Sequence, residues 1–449
     1  MNKQQTTLMT EGSIWKKLIA FAIPLFFGNL FQQLYNTADS LIVGKFLGED
    51  ALAAISSSGS LIFLIIGLFN GISMGAGVVI ALYYGAKDNK KLHQAVHTTV
   101  ALGIISGIIL TIVGVIFAPK ILVLMGTPEE VLPNSIAYFR TYFLGSISFV
   151  LYNVFMGILQ SSGDSKRPLY YLIISSCVNI VLDILFVGVF HYGVASAAVA
   201  TVISQCISAI LCLVRLTTTT EPYRVNIKDI KIHKALLRQI LMNGLPAGIQ
   251  NSIISFANVI IQSNINQFGK LAMAGCGAYS KIEGFGFLPV TCFSLALTTF
   301  ISQNLGAKEY ERAKKGAKFG VLCSIILAEC IGFSIYFASP FLVALFNNNT
   351  DVIQFGVTTA HTITPFYFLL AFSHCMAGIL RGAGKSTVPM FVMFFSWCIV
   401  RISYVFIIVQ FFHHIEAIFW AYPFTWTVSS IILFVYFLKM DWKSCHGVS

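Results

Sequence analysis

Gly157-Ile158-Leu159-Gln160-Ser161-Ser162-Gly163-Asp164-Ser165-Lys166-Arg167-Pro168 has a counterpart in Gly378-Ile379-Leu380-Arg381-Gly382-Ala383-Gly384-Lys385-Ser386-Thr387-Val388-Pro389. Gly-Ile-Leu followed by Gly, Ser and Pro recurs at an offset of 378 − 157 = 221. Gly85-Ala86-Lys87 recurs as Gly306-Ala307-Lys308 at the same offset, and Pro24 recurs as Pro246 at 222. The chain is therefore an internal duplication, and what lies between the copies decides its architecture.

That intervening sequence is mostly apolar. Of 449 residues, 56% are hydrophobic and 10% are charged, with a mean hydropathy of +0.79. A soluble domain is about 25% charged, so this composition cannot cover a water-facing surface and reads as an integral membrane protein. The net charge of +11 does not point to nucleic acid, because its distribution is topological. Apolar runs bounded by charge or by Gly, Pro and Asn predict twelve helices. They lie near 14–44, 51–83, 93–118, 132–161, 168–190, 194–217, 236–268, 272–304, 314–338, 353–380, 388–412 and 415–438. The N-terminus, the even-numbered loops and the C-terminus carry 23 of the 29 Lys and Arg residues. The positive-inside rule then places both termini in the cytoplasm.

Six helices separate the repeats, so both halves have the same orientation, as in a parallel repeat about an axis along the membrane normal. The predicted fold is an all-α integral membrane protein with twelve transmembrane helices in two six-helix lobes related by a pseudo-two-fold axis. Residues 1–217 form an N-lobe, 218–235 a basic cytoplasmic linker and 236–449 a C-lobe. Two like-oriented lobes around a central path are the design of an alternating-access carrier.

Nine of the ten cysteines lie in apolar runs and no C-x-x-C pair occurs. They read as small hydrophobes. Met1 to Ser13 is polar and long apolar sequence follows, so no cleavable signal is expected.

Four acids fall inside predicted spans: Asp39, Asp183, Glu283 and Glu329. Intramembrane acids are costly, and each is a functional candidate. Asn179 and Asp183 are spaced i,i+4 and share a helical face. A carboxylate with an amide one turn away offers oxygen ligands to a small hard cation such as Na+, and two close carboxylates would share a proton. Either chemistry supplies a coupling ion. A local or interhelical ion pair is expected for Glu283, which lies two residues from Lys281, and a satisfied or headgroup-level position for Glu329. Arg401 is a candidate to neutralise one of the acids. Gln32, Gln33, Tyr35, Asn36 and Asn153 are polar side chains in apolar spans, where such groups face a cavity or another helix.

Other patterns read as decoys. Gly71-Ile72-Ser73-Met74-Gly75 fits G-x-S-x-G but sits mid-span, where glycines permit close helix packing. Gly382-Ala383-Gly384-Lys385-Ser386 resembles the end of a phosphate-binding loop, yet position 379 is Ile379 and no strand precedes it. His93 and His97 are spaced i,i+4 without an evident third ligand. Asn348-Asn349-Thr350 is a glycosylation sequon of little meaning without evidence of secretion.

Taken together, these residues resemble the MATE (multidrug and toxic compound extrusion) transporters. The resemblance rests on the two six-helix halves, Ile23-Pro24 with Tyr35-Asn36-Thr37-Ala38-Asp39, the paired Gly-Ala-Lys turns, and Gln160-x-x-Gly163-Asp164 with Pro168. The prokaryotic branch similar to DinF implies a cation site at Asp39, Asn179, Asp183 and Thr201. Thr201 enters through the resemblance alone. The family's drug cavity implies Pro24, Gln32, Asn153 and Ser176 as lining residues; Tyr35 and Asn36 join them from the polar pattern above. The stretch from Gln250 to Ile261 lacks the helix-seven carboxylate of the NorM-like branch, which argues against a C-lobe coupling site.

The expectation is a plasma- or inner-membrane antiporter that expels amphipathic, cationic organic compounds as H+ or Na+ enters. It would use no cofactor beyond the coupling ion, bind no nucleic acid, sit in membrane lipid and work as a monomer. A lipid-linked oligosaccharide flippase is the alternative, for which a cavity ringed by Arg is expected. No metal-ligand set or catalytic triad supports an enzyme.

Overall fold

The computed structural model describes residues 8–47, 67, 69–124, 129–412 and 414–445. Twelve helical segments, α1 to α12, occur among them. The first three are Ile14–Leu47, Phe69–Gly85 and Asn89–Leu124. α4 has two pieces, Leu132–Leu144 and Ser146–Ser161, meeting at 48°. α5 to α8 are Lys166–Val189, Ala195–Thr218, Lys234–Asn266 and Lys270–Gly306. α9 to α12 are Tyr310–Ala344, Thr350–Gly382, Thr387–Phe411 and Ile415–Lys439. They follow the twelve expected spans, although the first part of the second span lies outside the described residues.

The apolar runs explain both the helices and their solvent. In lipid every backbone polar group must be satisfied within the segment, which a helix achieves. Phe337, Phe411 and Phe406 are 77%, 74% and 72% exposed, an arrangement that suits hydrocarbon and not water. Prolines lie inside α1, α3, α7 and α9, at Pro24, Pro119, Pro246 and Pro340.

The chain forms two compact units. One holds Leu8 and Phe27–Leu245, and the other holds Met9–Phe26 and Pro246–Ser449. The linker lies wholly within the first unit, and the divisions fall inside α1 and α7, close to Pro24 and Pro246. The physical reason is packing. Tyr223 and Val225 of the linker are buried in the first unit's apolar cluster, whereas Leu18, Phe21 and Leu25 of α1 join the second unit's. Burial pushes the Tyr223 phenol up to about 12. Ahead of α1, Arg312 donates to the backbone carbonyls of Met9, Glu11 and Gly12.

The repeat is written into the backbone. Lys87 and Lys308 both adopt positive φ, 55° and 61°, and so do Gly163 and Gly384, at 87° and 74°. Each turn closes its helix with the same bond: Asp88 N to Tyr83 O, Glu309 N to Asn304 O, Asp164 N to Leu159 O and Lys385 N to Leu380 O. Such bonds are the left-handed terminations that end helices.

Two local features set the first unit's geometry. α4 bends at Gly145, where a Cβ would lie 2.3 Å from Val202 of α6. Only glycine lets α6 press against that bend. A Cβ on Gly75 would lie 2.3 Å from the Gly244 backbone nitrogen, so the G-x-S-x-G stretch serves close packing of α2 on α7.

Candidate functional site

α5 carries Leu172, Ser176, Asn179 and Asp183 on one buried stripe, because spacings of three and four residues return to the same helical face. Asp183 is 0% and Asn179 1% exposed. Immediately after Asp183 the helix widens into a π-helical turn, Ile184–Val189, a feature that concentrates at functional sites. α1 brings Asp39 to this stripe, with its carboxyl group against that of Asp183.

The polar atoms here are left open. Asp39 Oδ1, both Asp183 oxygens and both amide atoms of Asn179 are buried and take part in no hydrogen bond. Ionised carboxylates only accept, so neither acid can satisfy the other. A proton between them would supply the missing donor, and a small cation would supply a shared electrophile. The Asn179 Oδ1 is a further oxygen one turn away. Uncompensated charges in such a place are costly.

Two tyrosines lie near the acids. The Tyr35 phenol of α1 and the Tyr138 phenol of α4 lie within electrostatic reach of both carboxylates. Tyr138 stacks on Tyr142 with ring centroids 6.4 Å apart. The Tyr152 hydroxyl is buried without a partner. Tyr138, Tyr142 and Tyr152 escaped sequence reasoning; the i,i+4 spacing of the first two was the available signal. Thr201 is buried on α6 and donates to Ala197 O at 3.1 Å, which leaves its oxygen able to accept. One turn on, the Gln205 Oε1 is buried and unpartnered; it was also missed.

Ser176 lies on the acid stripe, with its hydroxyl buried and unpartnered. Asn153 is half-buried and donates to Phe149 O of its own helix at 2.8 Å. Gln32 and Asn36 are exposed on α1. Pro24 is buried in the second unit.

The second unit has its own polar cluster. Arg401 is 0% exposed. Its guanidinium donates to Asn258 Oδ1 at 3.3 Å and to Thr425 Oγ1 at 3.1 and 2.8 Å. It sits 4.6 Å from the Trp397 ring and 4.8 Å from that of Tyr422. Glu283 acts electrostatically on Arg401, whereas Lys281 is exposed. Of the two expected kinds of partner, the interhelical one, Arg401, faces Glu283, and Lys281 does not, because i,i+2 residues point to different sides of a helix. Glu329 accepts from Phe368 N at 2.9 Å. Arg381 is buried and donates to Gln250 and Ser294, although the sequence reading placed it in a loop. Arg140 is spent on Val115 O.

His93 and His97 gain a third neighbour from the linker, Asp229, with one ligand-type atom of each residue within 4.8 Å of the others. Both ring nitrogens of His97 are committed to backbone: Nδ1–H donates to His93 O at 2.7 Å and Nε2 accepts from Asn226 N–H at 2.9 Å. This cluster straps the linker to α3.

A bundle of membrane-crossing helices with two buried acids facing each other is the architecture of a membrane transporter. The MatE family profile matches residues 24–185 and 246–407, more than half of the chain and once in each repeat. The chain belongs to the MatE family. It is 29% identical over 455 residues to the probable multidrug resistance protein YoeA of Bacillus subtilis, covering 99% of this chain and 98% of that one. It is 23% identical over 390 residues to the multidrug export protein MepA of Staphylococcus aureus, covering 86% and 85%. A solved MOP superfamily transporter from Pyrococcus furiosus superposes with a TM-score of 0.91 at 22% identity, over 97% of this chain and 98% of that one. At that identity the likeness is one of fold.

Proposed function

We propose that this protein is a multidrug antiporter that expels amphipathic organic cations in exchange for inward H+ or Na+. The observation that carries the reading is the opposed pair Asp39 and Asp183, whose buried oxygens find no donor. The names of the multidrug relatives support the substrate class. Both termini and the basic loops face the cytoplasm, and the protein works as a monomer.

In this mechanism the coupling ion and the drug bind to different states of the first repeat. Cation entry between Asp39 and Asp183 draws α1 toward α5, with Asn179 and Thr201 supplying further oxygens. The proline at Pro24 leaves α1 short of one backbone bond and provides the place to bend. Tyr35, Asn36, Gln32, Asn153 and Ser176 contact the drug in the other state. The difference in binding free energy between the two states is the coupling, and it acts reciprocally.

The test is ethidium efflux from vesicles under separately imposed H+ and Na+ gradients, with wild type beside Asp39→Asn and Asp183→Asn. Efflux driven by one gradient and lost in both variants identifies the ion and the site. Efflux indifferent to both substitutions refutes the mechanism. If the inserted protein shows no efflux under either gradient, the flippase alternative takes precedence.

A further inference from the structure

The register of the repeats identifies what occupies the second unit's counterpart of the acid pair. α1 and α7 align at 222, the offset of Pro24 and Pro246, and the two matched family stretches start and end at the same offset. Asn36 then corresponds to Asn258 and Asp39 to Ile261. α5 and α11 begin at 221, from Pro168 and Pro389. α11 contains a π-helical turn, Phe394–Val400, ahead of Arg401, whereas that of α5, Ile184–Val189, follows Asp183. A π-turn accommodates an extra residue, so the offset beyond it in α11 becomes 222. Asn179 then corresponds to Arg401, and Asp183 to Val405. Past the π-turn of α5 the offset returns to 221, which sets Thr201 against Tyr422 and Ser204 against Thr425.

The contacts of Arg401 agree with this register. Its hydrogen-bond acceptors, Asn258 and Thr425, come from the helices that correspond to α1 and α6. Trp397 and Tyr422 offer ring faces to the guanidinium, as cations prefer. Ile261 and Val405, each 1% exposed, stand where the first unit has acids. One unit thus has two carboxylates and no cation, and the other has a cation and no carboxylate at the matching positions.

We propose that the Arg401 guanidinium is a tethered cation that permanently fills the second repeat's counterpart of the ion site, so that only the first repeat exchanges a coupling ion. This rests on the ion site proposed above. It explains why a duplicated protein would couple through one half: a covalently held cation cannot be released.

Removing the tether should leave a pocket for a free guanidinium. The test is thermal unfolding of the purified full-length protein and of Arg401→Ala, with methylguanidinium or its neutral isostere methylurea. Arg401→Ala should melt below wild type and be restored saturably by methylguanidinium, at a concentration about tenfold lower than any effect of methylurea, as a charge-assisted bond requires. Wild type should not respond. Equal effects of the two compounds, or none from either, would overturn the proposal.

A second measurement covers a variant that does not fold: the stoichiometry of coupling-cation binding to wild type and Asp39→Asn. One site in wild type and none in the variant is expected. A second site that persists in Asp39→Asn would overturn the proposal. The two readings fail separately. Ethidium efflux indifferent to Asp39→Asn refutes the antiport mechanism but not a methylguanidinium pocket. An absent pocket leaves Asp39-dependent efflux standing.

Discussion

Asp39→Asn should make the protein more stable while it abolishes coupling. In wild type, Asp39 Oδ1 and both Asp183 oxygens are buried with no donor. The substituted amide brings two N–H donors to the same place, and one of them meets the Asp183 carboxylate. A hydrogen bond to a charged acceptor is worth about 1.5–3 kcal/mol net. For a unit of this size each kcal/mol moves the melting temperature by about 2–4 °C, so a rise of about 3–12 °C is expected. The difference should be largest at alkaline pH, where a shared proton is scarcest, and in buffer free of Na+. The assay is thermal unfolding in detergent across pH and Na+ concentration. Wild type should gain stability from whichever cation it couples to, through mass action, and the variant should not respond. A variant less stable than wild type under every condition, or one that keeps the wild-type ion response, would show that the acids do not need a shared cation.

Three further outcomes follow from packing. Gly75→Leu would set a side chain against the Gly244 backbone 2.3 Å away; overpacking costs about 1–3 kcal/mol or more, and inserted yield should drop, whereas Gly77→Ala, with its nearest neighbour 3.9 Å away, should be tolerated. Tyr223→Ala removes a side chain 1% exposed at a cost of about 3–5 kcal/mol, by analogy with other buried aromatics, and limited proteolysis should then cut the linker first. Arg312→Ala removes four bonds to the carbonyls of Met9, Glu11 and Gly12, worth about 1.5–3 kcal/mol each at most, and should expose the segment before α1 to aminopeptidase and lower the melting temperature of the second unit, to which Met9 belongs.

Much of this was legible in the residues. The apolar runs fixed the helices because each satisfies its own backbone. The Gly-Ala-Lys turns marked the repeat because a left-handed helix end is a local event. Asn179 and Asp183 could be assigned to one face because i,i+4 spacing is a property of a single helix. The tyrosines were less legible. Tyr138 looked like an ordinary aromatic until α4 folded it toward the acids. Arg381 was read into a loop because its helix runs on past the apolar stretch, and Asp229 reached His93 only through the fold of the linker. The burial of Tyr223 and Val225 was not legible either, since nothing in a basic run announces it.

The sequence by itself determined a membrane solvent, the spans, the duplication and the shared face of Asn179 and Asp183, all of which depend on composition or on contacts a few residues apart. Only the tertiary structure decided that Asp39 would meet Asp183 across 183 − 39 = 144 residues of chain. It alone turned Glu283 toward Arg401 and, through one π-turn, shifted the register that sets Arg401 opposite Asn179. Those outcomes depend on which helices pack together and on how each is rotated about its axis. One extra residue in a helical turn changes that rotation without changing the apolar pattern.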